Sequence, residues 1–136
     1  MLYIASDVPL PLLPWDPGAP AFHVEELDAA SQVVRERFTL PSAYYAGSHE
    51  GCGCGFQLGE YPDFVDEDAP AKRESLRQLA DYVDAQHALG RQLQFFMCWA
   101  GDEECPPDSR RVVTTRELRG DSFWFLEGEA SSFAAG

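Results

Sequence analysis

Residues 70–100 read PAKRESLRQLADYVDAQHALGRQLQFFMCWA, and this stretch decides the fold. Pro70 suits the first turn of a helix, where a missing amide costs nothing. Leu76, Leu79, Ala80 and Val83 recur at helical spacing on one stripe, and Gly90 stands where a helix closes with a left-handed residue. From Leu93 the period changes to two. Leu93, Phe95, Met97 and Trp99 alternate with Gln94, Phe96, Cys98 and Ala100, so both faces are largely apolar. The pattern predicts a long helix over about 70–89, packed by Leu76, Leu79 and Val83. It also predicts a central strand over 93–100 that brings Trp99 into or near the core.

Working outward, residues 2–5 read as a short strand, and Pro9, Pro11, Pro14, Pro17 and Pro20 then forbid regular structure, giving a Pro-rich coil over about 8–20. Its P-x-x-P spacings could serve as a polyproline ligand, but Leu10, Leu12, Leu13 and Trp15 are better placed against the protein's own core. Phe22–Glu26 alternates like a strand. Asp28 offers an N-cap for a short helix over about 29–37, with Ala30, Val33, Val34 and Phe38 at helical spacing before Pro41. Residues 43–47 read as a strand, as do residues near 112–114 and 122–127, the last for its run of Phe123, Trp124, Phe125 and Leu126. Glu60–Asp68 holds five acidic residues and no basic one, which describes a solvated loop. Together these elements make residues 1–136 one α+β domain with a mainly antiparallel sheet.

The chain has 136 residues, 45% of them hydrophobic, enough for one core that needs neither disulfide nor metal to fold. Ten basic residues stand against 23 acidic ones, a formal charge of −13 that repels phosphate backbones and anionic lipid heads. Nucleic-acid and membrane partners are therefore not expected. The amino terminus has neither a basic leader nor a long apolar run, so a cytoplasmic location is expected and Cys52, Cys54, Cys98 and Cys105 are expected as thiols.

The segment Ser48-His-Glu-Gly-Cys-Gly-Cys-Gly-Phe56 is the part that could carry chemistry. Extended, it would place Cys52, Cys54 and Phe56 on one side and leave Gly51, Gly53 and Gly55 bare on the other. Glycine in such a position marks a bulge or a close approach of backbone, ring or ligand. One reading is a tightly packed segment with small buried thiols. A second is a metal site, because His49, Cys52 and Cys54 supply an imidazole and two thiols within six residues and zinc favours nitrogen and sulfur. A fourth ligand must come from elsewhere. Cys98, on the central strand, is expected to approach, with Cys105 and His23 the other candidates. A third reading makes Cys52 or Cys54 a nucleophile or redox thiol with His49 as base, but Glu50 adjoins it and the chain is acidic, which disfavours thiolate.

His49-Glu-Gly-Cys-Gly-Cys-Gly-Phe56, with Tyr44-Tyr45 before it and Phe96-x-Cys98-Trp99-x-Gly101-Asp102-Glu103 after it, resembles a family of small uncharacterised bacterial proteins. The resemblance implies a bacterial, cytosolic protein and brings no activity or cofactor. Arg119-Gly120-Asp121 matches an adhesion tripeptide and reads as a turn before the last strand. The chain contains no P-loop, dinucleotide fingerprint, nucleophile elbow, H-E-x-x-H helix or paired Cys knuckles, so no catalytic site is assigned and an enzyme is not expected. Three functional classes remain: first a protein with a structural or zinc-binding His/Cys site at His49, Cys52, Cys54 and Cys98, then an acidic interaction module, like an immunity protein, that neutralises a basic partner, and last a Cys/His thiol enzyme.

Overall fold

The computed structural model describes residues 1–57, 67–120, 123 and 125–134. Six strands form one sheet: β1 (Leu2–Ser6), β2 (His23–Glu26), β3 (Ser42–Gly47), β4 (Leu93–Met97), β5 (Ser109–Thr114) and β6 (Glu129–Ala134), in the order β2-β3-β1-β4-β6-β5. All pairs are antiparallel except β5 with β6, which is parallel. The long helix α1 (Ala69–Ala88) covers one face, and a single helical turn, α2 (Thr115–Leu118), follows β5 directly. No helix among the described residues is long and apolar enough to cross a membrane.

The sheet is buried on both sides, as the double apolar period of β4 requires. Leu2 and Ile4 of β1 join Phe95 and Met97 of β4 beneath Leu76, Leu79 and Val83 of α1. The alternate residues Tyr3, Ala5, Phe96 and Cys98 face the other way, where Val34, Phe38 and Leu40 pack on them. β1 lies between β3 and β4, pairing Leu2 with Ala46 on one side and Met97 on the other. This register brings the end of β3, the start of β1 and the end of β4 to one end of the sheet, where residues 48–57 sit.

The helix ends as its sequence predicts. Gly90 has φ +79°, its N–H bonds His87 O at 2.9 Å, and Arg91 N–H reaches back to Gln86 O at 3.1 Å. The Pro-rich coil is irregular apart from one bridge between Leu13 and Val24, and it is tied down where Tyr82 OH donates to Pro11 O at 2.7 Å.

Several expectations are corrected. The short helix over 29–37 is a 3-10 turn at Gln32–Arg37. Asp28 is not its cap: Asp28 Oδ1 accepts Ser31 N–H at 2.8 Å in the preceding turn. The last strand is β6 at Glu129–Ala134, downstream of the aromatic run. Phe123 and Phe125 do enter the core, but Gly128, with φ +77°, turns the chain after them, and residues 121, 122 and 124 lie outside the described residues. Trp99 is 66% exposed, because β4 ends at Met97 and the chain turns there, with Asp102 N–H on Trp99 O. Most of the expected acidic loop, residues 60–66, lies outside the described residues. Arg119 of the adhesion-like tripeptide is held by Asp81 and Asp84 of α1 at 2.8 and 2.7 Å.

Candidate metal centre

The Gly/Cys segment is not extended. Gly53–Phe56 forms a 3-10 turn, and three contacts account for the glycines. Gly51 has φ +80°, closing the turn in which its N–H bonds Ser48 O at 3.0 Å. A Cβ on Gly53 would stand 3.2–3.3 Å from the backbone of Met1 and Leu2, and one on Gly55 would overlap Ser48 and reach the His49 ring. Close approach of backbone and ring, rather than strand packing, therefore sets the bare positions.

Ser48 organises the loop. Fully buried, it donates from Oγ to Cys52 O at 2.6 Å, and the same Oγ accepts Glu50 N–H at 3.2 Å. Tyr45 OH caps Gly51 O at 2.7 Å. At the far end the Gln57 side chain pairs with the Phe125 backbone in both directions, donating to its carbonyl at 2.8 Å and accepting its N–H at 3.1 Å. Phe56 locks the turn into the helix-side core, with ring centroids 6.2 Å from Phe22 and 6.4 Å from Phe125.

Two overlapping groups of ligand atoms result. Glu50, Cys52 and Cys54 offer a carboxylate oxygen and two sulfurs, all within 4.8 Å of one another, and His49, Glu50 and Asp68 form a second group at the same spacing. Glu50 belongs to both. His49 is 3.9 Å from Glu50 Oε1 through Nε2 and 3.1 Å from Asp68 Oδ2. Its Nδ1 lies 2.8 Å from Ser75 Oγ. The expected set is thus divided: Cys52 and Cys54 come together, His49 stands on the other side of Glu50, and Cys98 joins neither group. Cys98 is buried among Tyr3, Phe96 and Ala130 on the face away from α1, because the strand period that brings Met97 toward the helix turns Cys98 away.

His23 and Cys105 also lie outside both groups. The His23 ring covers Gly47, with Trp15 at 4.6 Å and Tyr45 at 5.9 Å, and Cys105 sits exposed in the loop after β4. Comparison with known protein families, with curated proteins and with solved structures returns no match. The chemistry of the site therefore rests on its own geometry.

The electrostatics hold the proton on two of the thiols. The hydrogen bond with Cys52, followed by burial, raises Cys54 above the usual thiol range, and burial pushes Cys98 up to about 12. Glu50 is raised, first by its hydrogen bond with Asp68 and then by burial, while Asp68 is lowered, first by its hydrogen bond with His49. A nucleophilic cysteine needs the opposite environment. Ser75, His49 and Asp68 have the composition of a hydrolytic triad, but Ser75 is 1% exposed, where a nucleophile must meet its substrate.

Beside the sulfurs lies a mainly apolar cavity of about 320 Å³, bordered by Met1, Cys52, Cys54, Trp99 and Glu127. Cys54 is exposed and Cys52 half-buried. Sequence reasoning missed Glu50 as a candidate ligand, treating it only as an unfavourable neighbour of a thiol. It also missed Asp68 and Ser75. The signal for Asp68 was its place just before Pro70, the start of the helix that His49 must face.

Proposed function

We propose that this protein binds a zinc-class divalent cation through Cys52, Cys54 and Glu50. The observation that carries the reading is that two sulfurs and one carboxylate oxygen on a single five-residue loop all lie within 4.8 Å of one another. Tetrahedral zinc with sulfur at about 2.3 Å and oxygen at about 2.1 Å needs ligand atoms about 3.5–3.8 Å apart, so small side-chain rotations close the set. The donors suit the ion: thiolates select soft or borderline metals over magnesium and calcium.

Three protein ligands leave one coordination position, and the cavity beside Cys52 and Cys54 lies next to it. His49 and Asp68 orient Glu50 from behind, as outer hydrogen-bonding partners do for metal-bound carboxylates. The ion ties together a loop already closed by Ser48, so binding adds to folding stability.

Zinc titration against a chromophoric chelator, with elemental analysis of protein purified without affinity metal, tests this. One equivalent is expected, with binding lost in Cys52→Ser and Cys54→Ser and weakened in Glu50→Gln. Less than about one-tenth of an equivalent, or affinity unchanged by Cys52→Ser, overturns the reading.

A further inference from the structure

The sheet face away from α1 carries a second cavity, of about 260 Å³, where the 3-10 turn at Gln32–Arg37 stops short of β5. Arg37 and Arg110 both line it, in a chain with ten basic residues against 23 acidic ones. The side chain of Arg37 is only 12% exposed, and its Nε is buried without a hydrogen-bond partner. Its ion pair, at 3.2 Å, is with the adjacent Glu36, which also borders the cavity and whose side chain is 72% exposed to water. Arg110, across the cavity, has no ion-pair partner among the described residues.

A guanidinium largely taken out of water and ion-paired only with a solvent-exposed neighbour favours a further acceptor on its outer nitrogens. The wall beside it is hydrogen-bonded: Gln94 Oε1 accepts the N–H groups of Thr39 and Leu40 at 3.1 and 3.3 Å, and its Nε2 donates to Thr39 Oγ1 at 2.7 Å, so the Gln94 carbonyl and one of its two amide N–H groups hold the loop. Phe38 and Ala130 add an apolar lining.

We infer that this cavity binds a small organic oxyanion, a phosphate monoester or a carboxylate, gripped between Arg37 and Arg110. The planar guanidinium matches both groups with paired N–H donors, Ser132 adds a hydroxyl at the rim, and the apolar lining receives a short carbon skeleton. The site shares no residue with the metal loop and stands or falls apart from it.

Calorimetric titration at about 0.1 M salt, where the protein's net charge is screened, tests the site with glycerol 3-phosphate, succinate and inorganic phosphate as probes. Saturable binding of glycerol 3-phosphate or succinate is expected, tighter than that of inorganic phosphate. The two organic probes distinguish a phosphate from a carboxylate source. Arg110→Gln lies on an exposed edge strand and is expected to keep the fold while weakening binding about tenfold or more. No saturation up to about 10 mM, equal affinity for inorganic phosphate, or affinity unchanged in a folded Arg110→Gln protein overturns the inference.

Discussion

Ser75 Oγ accepts the backbone N–H of His49 at 3.1 Å and lies 2.8 Å from Nδ1 of the same residue, so one hydroxyl on α1 fixes both the backbone and the ring of the loop that carries the cysteines. The helix thereby decides where Glu50 and the thiols stand, although none of them belongs to it. Ser75→Ala leaves the His49 amide without this acceptor, and a loss of about 1–3 kcal/mol is expected in urea unfolding. A loss below about 0.5 kcal/mol would show that water replaces the hydroxyl freely.

Gly55→Ala and Gly90→Ala separate two uses of glycine. At Gly55 an added Cβ overlaps Ser48, so a loss of about 1–3 kcal/mol and weakened zinc binding are expected. At Gly90 nothing stands within 4 Å, and the φ of +79° is the sole penalty, so about 1 kcal/mol and unchanged zinc binding are expected. Thermal unfolding and zinc titration of both variants check the contrast.

Leu79 is fully buried beneath α1, and Leu79→Ala is expected to cost about 2–5 kcal/mol by denaturant unfolding. A change under about half a kcal/mol would place the helix on a different face.

Burial raises the Glu127 carboxyl above its ordinary range; the nearby Met1 amino group opposes this and Asp102 adds to it. Its Oε2 is buried without a hydrogen-bond partner. A raised carboxyl favours folding in its protonated form, so that contribution is full below the ordinary glutamate range and is lost as pH rises through the raised value. Glu127→Gln is therefore expected to gain stability relative to wild type between pH 4 and pH 7. Unfolding curves at the two pH values measure the difference, and an equal offset at both would refute it.

Zinc binding should weaken as pH falls. Cys54 and Glu50 both hold their protons more tightly than usual, and each thiol must lose one to bind. The apparent affinity is expected to drop about tenfold to a hundredfold per unit between pH 7.5 and 6. A flat profile in chelator competition would exclude thiolate ligation.

The helix and the strands were legible because their signals are local. Pro70, the Leu76–Val83 stripe, Gly90 and the two-sided alternation of Leu93–Met97 each follow from backbone period and the partition of apolar side chains from water. The aromatic run 123–126 misled for the same reason. Phe123 and Phe125 are as buried as strand residues but lie outside any strand, while β6, between β4 and β5, carries Phe133 as its one large apolar side chain among Ala and Ser residues and so gives a weak apolar signal. Trp99 failed because alternation cannot show where pairing stops.

From the sequence alone came the α+β class, the acidic charge and the segment in which chemistry could lie. Which side chains meet was decided only by tertiary structure. Cys98, one residue past β4, is turned to the opposite face from Met97 and so away from Cys52 and Cys54, and Glu50 and His49 are joined to Asp68 across chain separations of 18 and 19 residues. Such meetings depend on sheet register and on how a glycine-rich turn closes over its neighbours. Both are set by the packing of distant backbone, such as Gly53 against Met1 and Leu2, and leave no period in the residues themselves.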